Sequence, residues 1–234
     1  MKAILLAAGF GTRLRPITNT LPKCLVPIAG KPLLDYWLDM LGQNAIEEII
    51  VNTHYMPETV SQHLQVSQWH SIIFHSHEKE ILGTAGTMFQ HKDRLMHSDF
   101  ALIHADNLSF FDWPSFVAAH HARPVDCLIT MMTFTTDSPS TCGIVELDER
   151  GVVVRFHEKV ANPPSNLANG AVYIISSKIF DFLPRSDYSD FSTEILPLIM
   201  GKIFTYHNSI YHRDIGNLDS LTQACDDIKM IINC

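Results

Sequence analysis

Apolar and polar positions run along the chain in blocks whose period switches between two and 3.6 residues. Lys2–Ala7 is a nearly unbroken apolar run of strand length. Pro32–Leu41 places Leu34, Leu38 and Leu41 on one helical face. Glu48–Asn52 then predicts a strand, Glu58–Leu64 a helix and Ser71–His75 a strand. Ala85–Leu95 predicts a helix, and Phe100–His104 a strand running into Asp106. Strands alternating with helices at this spacing imply βαβ units and a mostly parallel sheet, its apolar strands covered on both faces.

The later pattern is mixed. Ser115–His121 predicts a helix and Leu128–Thr135 a strand. Gly143–Leu147 and Val152–His157 flank a polar turn and read as a hairpin. A strand over Ala171–Ile175 precedes a helix over Ser192–Met200, despite Pro197. Short strands near Phe204 and Tyr211 and an amphipathic helix over Leu218–Ile232 complete the series. No repeat or linker interrupts it. The expectation is one domain over 1–234, with a parallel half to about residue 110 and a mixed-sheet half from about 111.

Composition narrows the class. At 234 residues, 46% hydrophobic and 18% charged, the chain suits one α/β domain with a full core. No apolar run approaches the ~20 residues of a membrane span, and no signal peptide is expected. Five cysteines, Cys24, Cys127, Cys142, Cys225 and Cys234, are scattered without a C-x-x-C pair. A disulfide framework or zinc site is not expected, and a reducing cytoplasm fits. The net charge of -8 argues against nucleic acid as partner. Yet residues 1–34 carry Lys2, Arg13, Arg15, Lys23 and Lys31 and no acid. Scattered solvated lysines would explain such a run; a pocket for a highly anionic small molecule explains it more sharply.

The first strand stops at Gly9-Phe10-Gly11, followed by Thr12-Arg13-Leu14-Arg15-Pro16. Leu14 stands where a dinucleotide fingerprint has its third glycine, and the P-loop spacing is absent. Bare glycines let a ligand approach main-chain N–H groups. Arg13 and Arg15 add forked donors matched to phosphate oxygens, and Lys23 adds a compact charge. Together they read as a triphosphate clamp.

The tract from Leu6 through Leu41 closely resembles the opening signature of the sugar-1-phosphate nucleotidyltransferases, and the resemblance extends along the chain. Leu82-Gly83-Thr84-Ala85-Gly86 resembles the family's base-binding loop, and His104-Ala105-Asp106-Asn107 its metal-binding strand end. Phe156-His157-Glu158-Lys159 is similar to its sugar segment, Asn169-Gly170-Ala171-Val172-Tyr173 to the following strand, and Asp214-Ile215-Gly216 to a late D-I-G. The resemblance implies a Rossmann-like three-layer sandwich with a mostly parallel mixed sheet, the GT-A-like nucleotidyltransferase fold. Its halves would bind nucleotide and sugar phosphate respectively.

It also implies an activity: NTP plus sugar 1-phosphate gives NDP-sugar plus pyrophosphate. Leu6, Ala8, Gly9, Gly11 and Thr12 would line the nucleotide, with Gly83 and Thr84 along base and ribose. Arg13 would hold the β- and γ-phosphates, and Lys23 would work from the other side. Asp106 and Asp214 would hold Mg²⁺, which prefers one or two carboxylates plus phosphate oxygens. Lys159 would steady the attacking phosphate; Glu158, Gly143 and Asn169 would complete the sugar pocket. The base loop and chain length most resemble bacterial guanylyltransferases for mannose- or heptose-type 1-phosphates, so GTP is expected, with Glu78, Glu80 or equally a backbone carbonyl as an acceptor for guanine. No left-handed β-helix domain, hence no second acetyltransferase activity, is expected; a homo-oligomer remains open.

Other readings stay in view. A thymidylyl- or uridylyltransferase for glucose or an amino sugar shares these motifs. A phosphocholine cytidylyltransferase should lack the Gly83 loop and the Glu158-Lys159 pair. A silent nucleotide-sugar sensor has no need of the retained charged set, nor a glycosyltransferase of a γ-phosphate clamp. The thirteen histidines show no ligand spacing with a third partner. Ser192-Thr193-Glu194 reads as a helix start, Cys24 as a buried neighbour of the clamp, and Asn217 as the cap of the last helix. Val160 and Asn217-Leu218-Asp219 depart from the family's usual residues on the sugar side.

Overall fold

The opening apolar run forms a strand, Lys2–Leu6, in parallel with Glu48–Thr53 and then Ile73–His77, with Ala3 beside Ile49 and Ile49 beside Ile73. Ala3, Ile4, Leu5, Ile49, Ile50 and Val51 are fully buried, as a sheet covered on both faces requires. The computed structural model describes residues 1–232; Cys234 lies outside them. The chain divides into two units that interleave in sequence. The first takes Lys2–Ile81, Ile103–Phe110 and the segment from Tyr211 onward; the second takes Leu82–Leu102 and Phe111–Ile210. Residues 82–102 therefore belong with the later half of the sequence, and the last helix belongs with the opening half.

In the first unit, the helix Leu33–Gln43 buries Leu33, Leu34, Trp37, Leu38 and Leu41, the stripe its periodicity predicts. Pro57–Gln65 buries Val60 and Leu64. Each such side chain contributes roughly 1.5–3 kcal/mol on burial. The strand Asn107–Phe110 pairs antiparallel with Tyr211–Asp214, setting Asp214 beside Asn107. The last helix, Leu218–Ile232, starts on the Asn217 side chain, which accepts the Ser220 N–H at 2.8 Å. It packs Leu221, Ala224 and Ile228 into a cluster with Leu14, Val26, Ile28, Leu33, Leu108 and Ile215. This cluster lies beneath the turns that follow the glycine tract and beneath the strand that ends at Asp214.

In the second unit, Ile129–Thr135 pairs antiparallel with Leu167–Ile175 and parallel with Ile203–His207. Gly143–Leu147 and Val153–Glu158 form the expected hairpin. Trp113–Ala122 is capped by Asp112, which accepts the Ser115 N–H. Two predicted helices differ. Gly83–Gln90 and Lys92–Leu95 are separate, broken at His91. Ser192–Met200 is instead a π-turn, Phe191–Ile195, followed by a 3-10 turn, Leu196–Ile199. Pro197 there removes an N–H that a continuing α-helix needs. The strand expected at Ser71–His75 lies two residues later, after a 3-10 turn at His70–Ile72.

The architecture is α/β with mixed, mostly parallel pairing in the first unit. No helix of the described residues is long and apolar enough to cross a membrane. The described cysteines Cys24, Cys127, Cys142 and Cys225 are free thiols.

Candidate active site

The glycine tract leaves the end of the first strand without entering a helix. Three 3-10 turns follow, Thr12–Leu14, Ile17–Asn19 and Lys23–Leu25. Ala8 is half-buried and Gly9, Thr12 and Arg13 are exposed. Leu6 accepts the Ala105 N–H at 3.1 Å, which ties the strand that begins the tract to the segment carrying Asp106. Gly11 has φ 63, and a Cβ there would lie 2.9 Å from both Lys23 Cβ and Thr18 Cγ2. Only glycine fits that position. Gly9 is different: a Cβ would meet none of the described atoms within 4 Å, so its bareness leaves open backbone facing solvent.

Lys23 is buried, 8% exposed, and its ammonium donates to Asp106 Oδ2 at 2.6 Å while Asp214 Oδ1 lies at 3.9 Å. Asp106 arrives from the turn after Phe100–His104, and Asp214 ends its own strand. The two segments are joined by the Ile215 N–H, which donates to Asp106 O at 3.0 Å. Arg13 reaches the same place: a Cβ at Gly216 would sit 3.2 Å from Arg13 Nη2 and 2.5 Å from Asp214 Oδ2. Of the early basic residues, then, Arg13 and Lys23 converge on the two aspartates. Lys2 pairs with Glu48 and Lys31 with Asp39 on other faces, and Arg15 is exposed.

The two carboxylates differ electrostatically. Burial works against ionised Asp106, but Lys23 and then His104 outweigh it and hold its pKa below the usual carboxylate range. Asp214 goes the other way: burial first, then the Asp106 charge, push its pKa up against the pull of Lys23 and Arg13. Two like charges around one ammonium favour a further cation. The donors are hard carboxylate oxygens, and no group of three or more His, Cys, Asp or Glu among the described residues forms a cage. Such a pair fits a magnesium ion that takes its remaining ligands from phosphate and water. Cys24, beside Lys23, is buried and its thiol is pushed up to about 12, chiefly by that burial. It is inert.

The remaining predicted residues lie in the second unit. Gly83 has φ 78, and a Cβ would lie 2.3 Å from Ser189 O. The Ala85 N–H donates to the same carbonyl at 2.9 Å, and Thr84 Oγ1 accepts the Phe191 N–H at 2.7 Å. The glycine loop at 83 is thus locked to the segment 189–191. Gly143 faces Glu158 across the hairpin, and a Cβ there would fall 2.8 Å from Glu158 Oε2. Lys159 adopts φ 49, its N–H donates to Cys142 O at 3.1 Å, and its ammonium lies 3.3 Å from Glu158 Oε1. Its side chain is 66% exposed, so a strained backbone presents a solvent-facing cation. Asn169 uses both ends of its amide internally: Oδ1 accepts the Ala171 N–H at 2.9 Å, and Nδ2 donates to Tyr173 Oη at 2.7 Å. It brackets an irregularity at Ala171, φ 52.

Sequence reasoning also misses how several side chains are tied. Glu78 is 2% exposed, and its Oε1 accepts from Asn52 Nδ2 at 2.9 Å; Glu80 is exposed. The expected guanine acceptor is therefore tied to a neighbouring strand at Glu78. Asp227 of the last helix accepts from Tyr211 Oη at 2.9 Å and Arg213 Nε at 3.2 Å, which braces the strand bearing Asp214. Neither contact has a local sequence signal, since each joins residues distant along the chain or on different elements.

Comparison with known proteins gives the chain a family. The family model described as nucleotidyl transferase matches residues 2–230. The mannose-1-phosphate guanyltransferase of Schizosaccharomyces pombe is 31% identical over 96% of this chain and 64% of its own. The UTP--glucose-1-phosphate uridylyltransferase of Synechocystis sp. is 28% identical over 96% of this chain and 62% of its own. The chain thus spans about three-fifths of the length of these curated relatives. Among solved structures, HddC from Yersinia pseudotuberculosis complexed with GMP-PN superposes with a TM-score of 0.81 at 25% identity, covering 97% of this chain and 99% of that one. The fold is the GT-A-like α/β fold of its structural neighbours. With the match running over nearly all of its length, the chain belongs to the nucleotidyl transferase family.

Proposed function

We infer that this protein transfers a nucleoside monophosphate from an NTP to a sugar 1-phosphate and releases pyrophosphate. GTP and a mannose- or heptose-type 1-phosphate are the favoured substrates. The observation that carries the reading is the convergence of Asp106 and Asp214 on Lys23, with Arg13 beside them, below an exposed glycine tract. The guanylyl preference rests on the Leu82–Gly86 loop and on similarity to proteins named for mannose 1-phosphate and one solved with GMP-PN.

In this reaction a phosphate oxygen of the sugar 1-phosphate attacks the α-phosphorus of the NTP. The bond from the α-phosphorus to the bridging oxygen breaks, and pyrophosphate leaves with the electron pair. The nucleophile is already anionic, so no general base is required. The barrier lies in gathering anions and in the charge that grows on the leaving group, and positioned cations meet both demands. Arg13 and Lys23 neutralise the β- and γ-phosphates. Lys159 steadies the attacking phosphate, and Glu158, over the bare Gly143, accepts from sugar hydroxyls. Asp106 and Asp214 would hold Mg²⁺, which would supply positive charge to the phosphate oxygens.

The test is pyrophosphate release from GTP, UTP, dTTP and CTP, each with mannose, heptose, glucose and glucosamine 1-phosphates. Turnover with GTP and a mannose- or heptose-type acceptor is expected. Preference for UTP or dTTP with glucose would move the protein to the uridylyl or thymidylyl branch. No release from any pair would reject the reading.

A further inference from the structure

The glycine tract is held by side chains that play no part in the chemistry above. The Ala7 N–H, the last before Ala8-Gly9, donates to Asn52 Oδ1 at 2.7 Å. The other end of that amide donates to Glu78 Oε1 at 2.9 Å. Asn52 is 3% exposed and Glu78 2%. These three groups sit at or just beyond the carboxyl ends of three parallel strands, Lys2–Leu6, Glu48–Thr53 and Ile73–His77.

The circuit closes on the far side of the tract. The Glu78 N–H donates to Thr53 O at 2.8 Å, and Glu78 O lies 2.9 Å from His54 Nδ1. The Phe10 ring meets His54 edge-on at 5.4 Å and Tyr55 at 5.8 Å between centroids. Tyr55 Oη donates to Thr18 O at 2.9 Å, and Thr18 Oγ1 donates to Gly11 O at 2.7 Å. The tract is therefore pinned at Ala7, at Phe10 and at Gly11, while the backbone at Gly9 stays bare.

We propose that Asn52, oriented by the buried carboxyl of Glu78, is a positioning residue that preforms the glycine tract for triphosphate. The proposal rests on the triphosphate reading of that tract. An asparagine suits this position because one planar group accepts from the tract and donates to its own anchor, so the direction of the Ala7 N–H is fixed by a residue on another strand. Glu78 supplies an acceptor that stops the amide from turning over. A tract ordered before binding spares the ligand the cost of ordering it, and that saving appears as affinity. Since the tract would meet phosphate, common to every NTP, the saving is independent of the base.

The experiment uses the full chain in two arms. Without nucleotide, hydrogen exchange followed by mass spectrometry is read over residues 7–11. Asn52→Ala is expected to speed exchange there about tenfold or more, with Ile4–Leu5 still protected. In turnover with mannose 1-phosphate, Asn52→Ala raises KM for GTP and UTP by the same factor, about tenfold, and leaves kcat and the sugar KM within about threefold. In the exchange arm, Glu78→Gln keeps an acceptor oxygen and behaves as wild type, while Glu78→Ala follows Asn52→Ala. If the buried substitutions do not fold, Phe10→Ala, at a residue 46% exposed, is expected to loosen exchange over 9–11. Unchanged exchange in Asn52→Ala, or in Phe10→Ala if it stands alone, overturns the proposal. So does a KM rise confined to one base, which would make Glu78 a base-recognition group. Absence of turnover in the wild type would remove the nucleotidyltransferase reading, yet the exchange arm would still decide whether Asn52 holds the tract.

Discussion

Lys23 and Asp106, 83 residues apart in sequence, meet at 2.6 Å, and Asp214 comes within 3.9 Å of the same ammonium. Lys23 thus screens two carboxylates, of which Asp214 is pushed up first by burial and then by the Asp106 charge. Lys23→Ala should lower kcat by about 100-fold, the loss of one preorganised charge on the leaving phosphates. It should also lower the melting temperature, and millimolar Mg²⁺ should restore part of that loss, because a divalent cation takes over the screening. Pyrophosphate release and thermal melting with and without Mg²⁺ check both halves.

Gly9 and Gly11 separate ligand approach from folding. Gly9→Ala meets none of the described atoms within 4 Å, so it should melt with the wild type while weakening NTP binding. Gly11→Ala combines φ 63 with close contacts to Lys23 and Thr18, and should lose about 1–3 kcal/mol of stability. Gly83→Ala, driven to 2.3 Å from a backbone carbonyl, should lose at least as much. Melting curves beside nucleotide titrations distinguish the three.

Lys159 is exposed, and its ammonium pairs with the adjacent Glu158 carboxylate. A solvent-facing pair of this kind adds little to stability. Lys159→Met should therefore leave the melting temperature unchanged. It should reduce kcat by about 100-fold if this cation steadies the attacking phosphate. Steady-state kinetics in the sugar 1-phosphate reads that effect.

His120, fully buried, lies between Asp99 Oδ2 at 3.1 Å and Thr130 Oγ1 at 2.9 Å. Burial pushes its pKa down, and its hydrogen bond to Asp99 pushes that carboxyl down as well. The folded state therefore keeps His120 neutral where the unfolded chain would begin to protonate it, near pH 6.5. That stabilisation is present above pH 6.5 and is lost as pH falls through and below it; the Asp99 contribution is lost at lower pH, below about 4. Urea midpoints between pH 8 and 5 should fall with acidification. The slope should be shallower in His120→Gln, yet not absent, since His75 is pushed down in the same direction by burial.

The first half of the chain is the more legible because its strands are buried on both faces and its helices carry single apolar stripes. Lys2–Leu6 and Leu33–Gln43 can be read within a residue or two. The pairing of Asn107–Phe110 with Tyr211–Asp214 cannot, for it joins two short segments a hundred residues apart whose alternation is weak. That pairing brings Asp214 to Asp106. Of the residues that charge and motif single out, Arg13, Lys23, Asp106 and Asp214 gather in the first unit, and Gly143, Glu158 and Lys159 gather in the second. The supporting contacts stay hidden in sequence. Asn52 looks there like any polar end of a strand, and Glu78 reads there as an acceptor for guanine, not as an anchor for a neighbouring strand. Only folding shows that each is buried and tied to the other.

The central claim is that cationic side chains and a divalent ion on two aspartates together bind a triphosphate. Calorimetric titration with a non-hydrolysable GTP analogue tests it most directly, in Mg²⁺ and again in EDTA, for the wild type and for Asp106→Asn. The account predicts binding by the wild type that requires Mg²⁺, and loss of that requirement together with most of the affinity in an Asp106→Asn protein that still melts cooperatively. Equal binding by both proteins, with or without Mg²⁺, would contradict it.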